Sequence, residues 1–171
     1  MTEKKHLNNA PIKEALIDLQ VALTDKKNTD DLISLYEQFS HDYPEKKTLT
    51  KGEFGFHFDE GQQATTTMNQ SVIGYRFSSE EEKQVLQFRM DGFTFSRLDP
   101  YQNWDHMRDE ALKLWKIYAE SISPLMITRL ATRYINVIEM PYGCSLGEYL
   151  KAPPKIPDGL NNEISGFLTR V

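Results

Sequence analysis

Cys144 is the only cysteine among 171 residues. No disulfide can close within the chain, and the fold needs no oxidising compartment. Long apolar runs are missing too. None approaches the roughly 18 to 20 residues that span a bilayer, and the start, MTEKKHLNNAPIKEA, has lysines without the apolar core of an export signal. The expectation is a cytoplasmic protein, neither exported nor membrane-embedded. Positive charge is in deficit, with 20 basic residues against 25 acidic ones and a net charge of −5. That argues against a nucleic-acid-coating protein while leaving room for a local basic patch.

Chemical motifs are equally scarce. His6, His41, His57 and His106 are far apart, no two share a helical turn, and no Cys or carboxylate stands near them in a ligand spacing, so no metal is expected. Cys144, in YGCSLGEY, has no neighbouring base and no nucleophile context, which leaves catalytic residues unassigned. The glycines of KGEFGFHFDEG sit in a strand pattern with no following Gly-Lys-Ser/Thr, so no phosphate loop and no cofactor are implied. SSEEEK, from Ser78 to Lys83, reads as a solvated loop tip, because adjacent like charges repel and seek water.

What is present is patterning. At 39% hydrophobic content the chain can build a real core. PIKEALIDLQVAL alternates as a half-buried strand, with a helix as the competing reading. NTDDLISLYEQFSHDYP carries Leu32, Leu35, Tyr36 and Phe39 at helical spacing, with Asn28 or Thr29 as cap and Pro44 as stop. GEFGFHFDEG, SVIGYRFSS, KQVLQFRMD and GFTFSRL follow as strands, the last three as a meander. Asp91 and Gly92 between two alternating runs predict a two-residue type I′ turn with positive φ. Pairing Met90 with Phe93 would put Leu86, Phe88, Met90, Phe93 and Phe95 on one face and Gln87, Arg89, Thr94 and Ser96 on the other.

NWDHMRDEALKLWKIYAESI is the clearest helix, with an apolar stripe of Trp104, Met107, Ala111, Leu114, Trp115, Tyr118 and Ile122. MITRLATRYINVIEM returns as a strand, with Leu130, Tyr134 and Ile138 opposite Arg129, Ala131 and Arg133. The expected fold is α+β: an antiparallel sheet in the order β-α-β-β-β-β-α-β, with two long helices on one face and a relation to ferredoxin-like folds. The expected domain covers residues 1–143. Residues 144–171 supply a short helix around Leu146 to Leu150, a Pro-rich connector and the start of a further strand in EISGFLTRV.

Alternation turns Arg76, Arg89, Arg129 and Arg133 away from the apolar face, with Gln87 among them. Guanidinium suits planar recognition of carboxylate or phosphate. Such arginines form either a partner surface or a set of pairs with nearby Asp and Glu. Arg97 falls by parity on the apolar side, within reach of Asp99 or a neighbouring element.

NAPIKEA, GYRF, QFRMDGFTFSRLDPY, Trp104 with Trp115, and TRYIN together resemble a sporadically distributed family of uncharacterised bacterial and archaeal proteins. The likeness covers most of residues 7 to 140. It implies no activity and no catalytic residues. Its patchy distribution implies accessory genes such as defence or toxin–antitoxin systems, and its longer members imply that this chain is a short or truncated form. The functional expectation is a non-enzymatic interaction module whose sheet face, bearing Arg76, Gln87, Arg89, Arg129 and Arg133, contacts a protein partner or an acidic ligand. The alternative is a small-molecule binder or enzyme with a pocket between the sheet and helix 104–122, using Arg97, Tyr101 and Trp104. Nucleic acid has less support, since the strand aromatics face inward.

Overall fold

The structure, a computed structural model, describes residues 10–24, 27–57, 65–98, 100–141, 143–153 and 155. The chain divides into two units, Met1–Val137 and Ile138–Val171. The first is a six-stranded antiparallel sheet: β1 (Ile12–Ala22), β2 (Glu45–His57), β3 (Thr65–Ser78), β4 (Gln84–Arg89), β5 (Gly92–Leu98) and β6 (Met126–Asn136), in the order β2-β3-β4-β5-β1-β6. Helices are few: α1 (Thr29–Ile33), α2 (Trp104–Ile122) and, in the second unit, α3 (Leu146–Tyr149). No described helix is long and apolar enough to cross a membrane. The strand expected at EISGFLTRV lies outside the described residues.

The alternation of β1 resolves to a strand, with Ala15, Ile17, Leu19 and Val21 buried on one side. The same side of β5 and β4 presents Phe93, Phe95, Leu86 and Phe88, none more than 1% exposed. Helix α2 lies on this surface through Met107, Ala111, Leu114, Tyr118 and Ile122. Its Trp115 meets Phe93 edge-on at 5.7 Å and its Tyr118 meets Phe88 at 5.3 Å. The Asn103 side chain caps it by accepting from the His106 amide at 2.9 Å. It ends at Ser123, in left-handed conformation, just before Pro124.

Two sequence expectations are corrected. The segment after Asn28 does not form a second long helix. A capping box, with Asn28 accepting from Asp30 at 2.8 Å and the Asn28 amide donating to Asp31 at 2.8 Å, starts α1, which ends at Ile33 and gives way to a 3-10 turn at Tyr36–Gln38. Ser34 and Ser40 donate back to the carbonyls of Asp31 and Glu37, competing with the helical ladder. The tighter path keeps Leu32, Leu35, Phe39 and Tyr43 buried and stacks Tyr36 on Phe77 at 5.3 Å.

Gly92 does not take positive φ, and neither do Met90 or Asp91. The hairpin pairs Arg89 with Gly92, and therefore Phe88 with Phe93 and Leu86 with Phe95. The ladder slides by two residues from the predicted pairing. Because the side-chain period is two, every residue keeps its face. Glycine is required at 92 for another reason: a Cβ there would lie 2.2 Å from the Leu19 carbonyl oxygen on β1.

Strands β2 and β3 extend well beyond the segments that alternation marks. Lys46, Lys47, Thr48, Thr50 and Lys51 belong to an edge strand in which no side chain from Glu45 to Glu53 is buried, so no apolar period announces this part of it.

Candidate functional site

The registers build ranks across the face of the sheet opposite the helices. One runs Arg76, Gln87, Thr94, Asp18, Ala131, and the next Gly74, Arg89, Gly92, Gln20, Arg129. Residues Arg76, Gln87, Arg89, Arg129 and Arg133 do share this face, but not as one cluster. Strands β5 and β1 separate the arginines of β3 and β4 from those of β6.

Asp18 bridges that gap. Its Oδ1 accepts from Arg89 Nη2 at 3.3 Å and from the Thr94 hydroxyl at 2.7 Å, while its Oδ2 accepts from Arg129 Nη1 at 3.0 Å. Arg89 completes its fork with Thr94 Oγ1 at 2.6 Å and Asp91 Oδ1 at 3.0 Å. The side chains of Arg89 and Asp18 are each 16% exposed. Most of the donor capacity of Arg89 is therefore committed within the fold, and Arg129 is held on one side. Arg76 lies about three strand spacings, some 14 Å, from Asp18. Among the described residues it hydrogen-bonds the Ser78 hydroxyl alone, at 3.5 Å, and stands opposite Lys47 of β2.

Arg133 differs from the rest. Among the described residues it makes no ion pair, and it stands exposed beside a small cleft of about 180 Å³ that Asp18, Thr94 and Arg129 also line. Alternation in PIKEALIDLQVAL sets Asp18 opposite the apolar Ala15, Ile17, Leu19 and Val21. That β1 lies between β5 and β6 was not legible, so its pairing with both arginines was missed.

The residues expected to form one pocket separate into two places. Trp104, 38% exposed, lines an apolar groove of about 290 Å³ between α2 and β6, with Leu112, Trp115, Ile127 and Leu130. Tyr101 stacks edge-on against Tyr134 of β6 at 5.7 Å, with the two hydroxyls 3.4 Å apart. Burial first, then that hydrogen bond, raises the Tyr101 phenol above its ordinary value. Arg97 lines a different cleft of about 360 Å³, with Gln84, Gln102, Asn103, His106, Asp109 and Glu110. Asp99, its expected partner, lies outside the described residues.

Two of the residues lining that cleft meet the buried Tyr43, 1% exposed, which donates to Gln84 Oε1 at 2.6 Å and approaches Glu110 Oε1 at 3.1 Å. Burial, followed by the Glu110 charge, raises the Tyr43 phenol well above the usual tyrosine range, so it stays a donor.

The groove exists because α2 covers β1, β5 and β4 but not β6. Leu130, at 69% exposed, and Ile127, at 49%, face the helix side without being roofed. No group of three His, Cys, Asp or Glu side chains among the described residues is arranged to hold a metal. In the second unit, Cys144 hydrogen-bonds Tyr149; burial first and that bond second raise the Tyr149 phenol. The chain matches no family model, no curated protein and no solved structure.

Proposed function

We propose that this chain is a non-enzymatic interaction module that accepts an extended segment of a protein partner as a further strand on β6. The observation that carries this is the character of β6 itself. Among the described residues no strand pairs with its outer side, so a row of backbone donors and acceptors is free. Ile127, Leu130 and Tyr134 are exposed on its helix side, the first two lining the apolar groove, while Arg129 and Arg133 project from the opposite side. A complementary strand carries apolar side chains at alternate positions and acidic ones between them. Pairing of β6 with a second copy, centred on Ala131, would set Arg129 directly opposite Arg133 of that copy, which disfavours self-association in that register. The resemblance to accessory genes is compatible with such a role, in a defence or toxin–antitoxin setting.

The finer fold follows the same lines. Strands β1 and β4 run in the same direction on either side of β5, and β5 and β6 do so on either side of β1. This split arrangement, with α1 and α2 in the two crossovers, supports a ferredoxin-like core into which the β2–β3 hairpin is inserted.

A pair of extended peptides tests the function, one alternating Val with Glu and the other Val with Lys, with binding followed by fluorescence anisotropy. The Glu peptide should bind and the Lys peptide should not. Arg129→Ala with Arg133→Ala should weaken capture while leaving the melting temperature nearly unchanged, because exposed ion pairs contribute about 0 to 1 kcal/mol. Equal binding of both peptides would remove the charge rule. Absence of binding by either, or sedimentation as a dimer through β6, would overturn the module as stated.

A further inference from the structure

On the helix side, at the far end of β5 from the hairpin, stands a guanidinium that no described residue holds. Arg97 makes no hydrogen bond and no ion pair among the described residues, yet it is only partly exposed and lines the cleft of about 360 Å³. Every other arginine within the sheet has at least a hydroxyl or carboxylate partner, except Arg133 on the open face. An unpaired cation in a concave, polar site is the usual mark of a missing anionic partner.

The two walls of the cleft differ in hydrogen-bonding character. The sheet wall is a donor wall. Arg97 and Gln84 are directly opposite each other across β4 and β5. Because Gln84 Oε1 is occupied by the Tyr43 hydroxyl, Gln84 offers its amide Nε2 as a donor beside the guanidinium. The helix wall carries the acceptors, beside the side-chain amides of Gln102 and Asn103. His106 Nδ1 lies 3.0 Å from Gln102 Oε1. With that oxygen accepting, the imidazole carries its proton on Nδ1 and leaves Nε2 as a lone-pair acceptor. Asp109 and Glu110 add carboxylates on the same helix. Asp109 is engaged by Arg108 at 2.7 Å, and Glu110 by Tyr43 and by Lys113 at 3.6 Å, but each carboxylate retains further acceptor capacity.

We propose that this cleft binds a small zwitterion of the amino-acid class, its carboxylate on Arg97 and Gln84 and its ammonium toward Glu110, Asp109 and His106 Nε2. The two acids are what select this class. A phosphate dianion would gain Arg97 but meet two carboxylates, and a plain carboxylate would leave the acceptor wall unused. The site is separate from β6, so it stands or falls independently of the interaction edge.

Saturation-transfer NMR on the full chain, with a mixture of free amino acids and then single ones against acetate and inorganic phosphate, tests this. Amino acids should bind, and acetate and phosphate should bind more weakly. Arg97→Gln should lower amino-acid affinity roughly tenfold or more, since a charge-assisted pair is lost. Its melting temperature should change little, because Arg97 holds no partner among the described residues. Glu110→Gln, which keeps an acceptor for Tyr43, should narrow the gap between amino acids and acetate. Phosphate or acetate binding as well as amino acids do, unchanged affinity in Arg97→Gln, or absence of amino-acid binding would each overturn the proposal.

Discussion

The two edges of the sheet are built on opposite plans. Strand β2 ends one side with Lys46, Lys47, Thr48, Thr50, Lys51 and Glu53, all exposed and polar. Strand β6 ends the other with Ile127, Leu130, Tyr134 and Ile135, all exposed and apolar, each at least 41% accessible. Lysines along an edge repel a second edge and keep strands from stacking end to end. The same chain thus guards one edge and leaves the other unguarded and grooved. This contrast between the two edges, among the described residues, is what the proposed strand capture on β6 rests on.

Substitutions separate the parts of this contrast. The largest effect belongs to the joint between β5 and β1. Gly92→Val places a side chain where a Cβ alone would come within 2.2 Å of the Leu19 carbonyl oxygen, and should cost about 2 to 4 kcal/mol in urea unfolding. Gly52→Val, on the β2 edge with nothing within 4 Å of its Cβ, should change stability by no more than about 0.5 kcal/mol. Equal losses would show that the two regions are not packed differently. Next comes Asp18→Asn, which removes the charge joining Arg89 to Arg129 and should cost roughly 1.5 to 3 kcal/mol by the same measurement. A neutral result would mean that the Asp18 charge does nothing to hold the half-buried Arg89 in place. The smallest stability change, about 0.5 kcal/mol or less, is expected of Lys47→Ile with Lys51→Ile. That variant should nonetheless self-associate in analytical ultracentrifugation, because it removes two of the lysines that repel a second β2 edge and, unlike β6, sets no like charges in their place. A monomer would show that the lysines are not guarding it.

Much of this was legible in the chain itself, and the physical reason differs between parts. Alternation assigned Gln87, Arg89, Thr94 and Ser96 to one face and Phe88, Phe93 and Phe95 to the other, and it did so despite a wrong turn type, because a two-residue slide preserves parity. The stripe from Met107 to Ile122 was legible because burial imposes a 3.6 period. The lysine-rich start of β2 was not, since a stretch with no buried side chain from Glu45 to Glu53 leaves no period to read. Strand order was equally silent. Nothing local says that β1 lies between β5 and β6, so Asp18 was missed as the hub of the arginines. Arg97, Tyr101 and Trp104 are close in sequence, but the chain turns at Pro100 into α2, and they face a polar cleft, a β6 tyrosine and an apolar groove respectively.

The central claim, that β6 is an edge built to be occupied and β2 one built to be left alone, is tested most directly by hydrogen–deuterium exchange with and without the alternating Val–Glu peptide. Amides of β6 that point away from β1 should exchange quickly in the free protein and become protected when the peptide is added, while the outer amides of β2 exchange equally fast in both. Protection at β2, or none at β6 under conditions where the peptide is bound, would contradict the account.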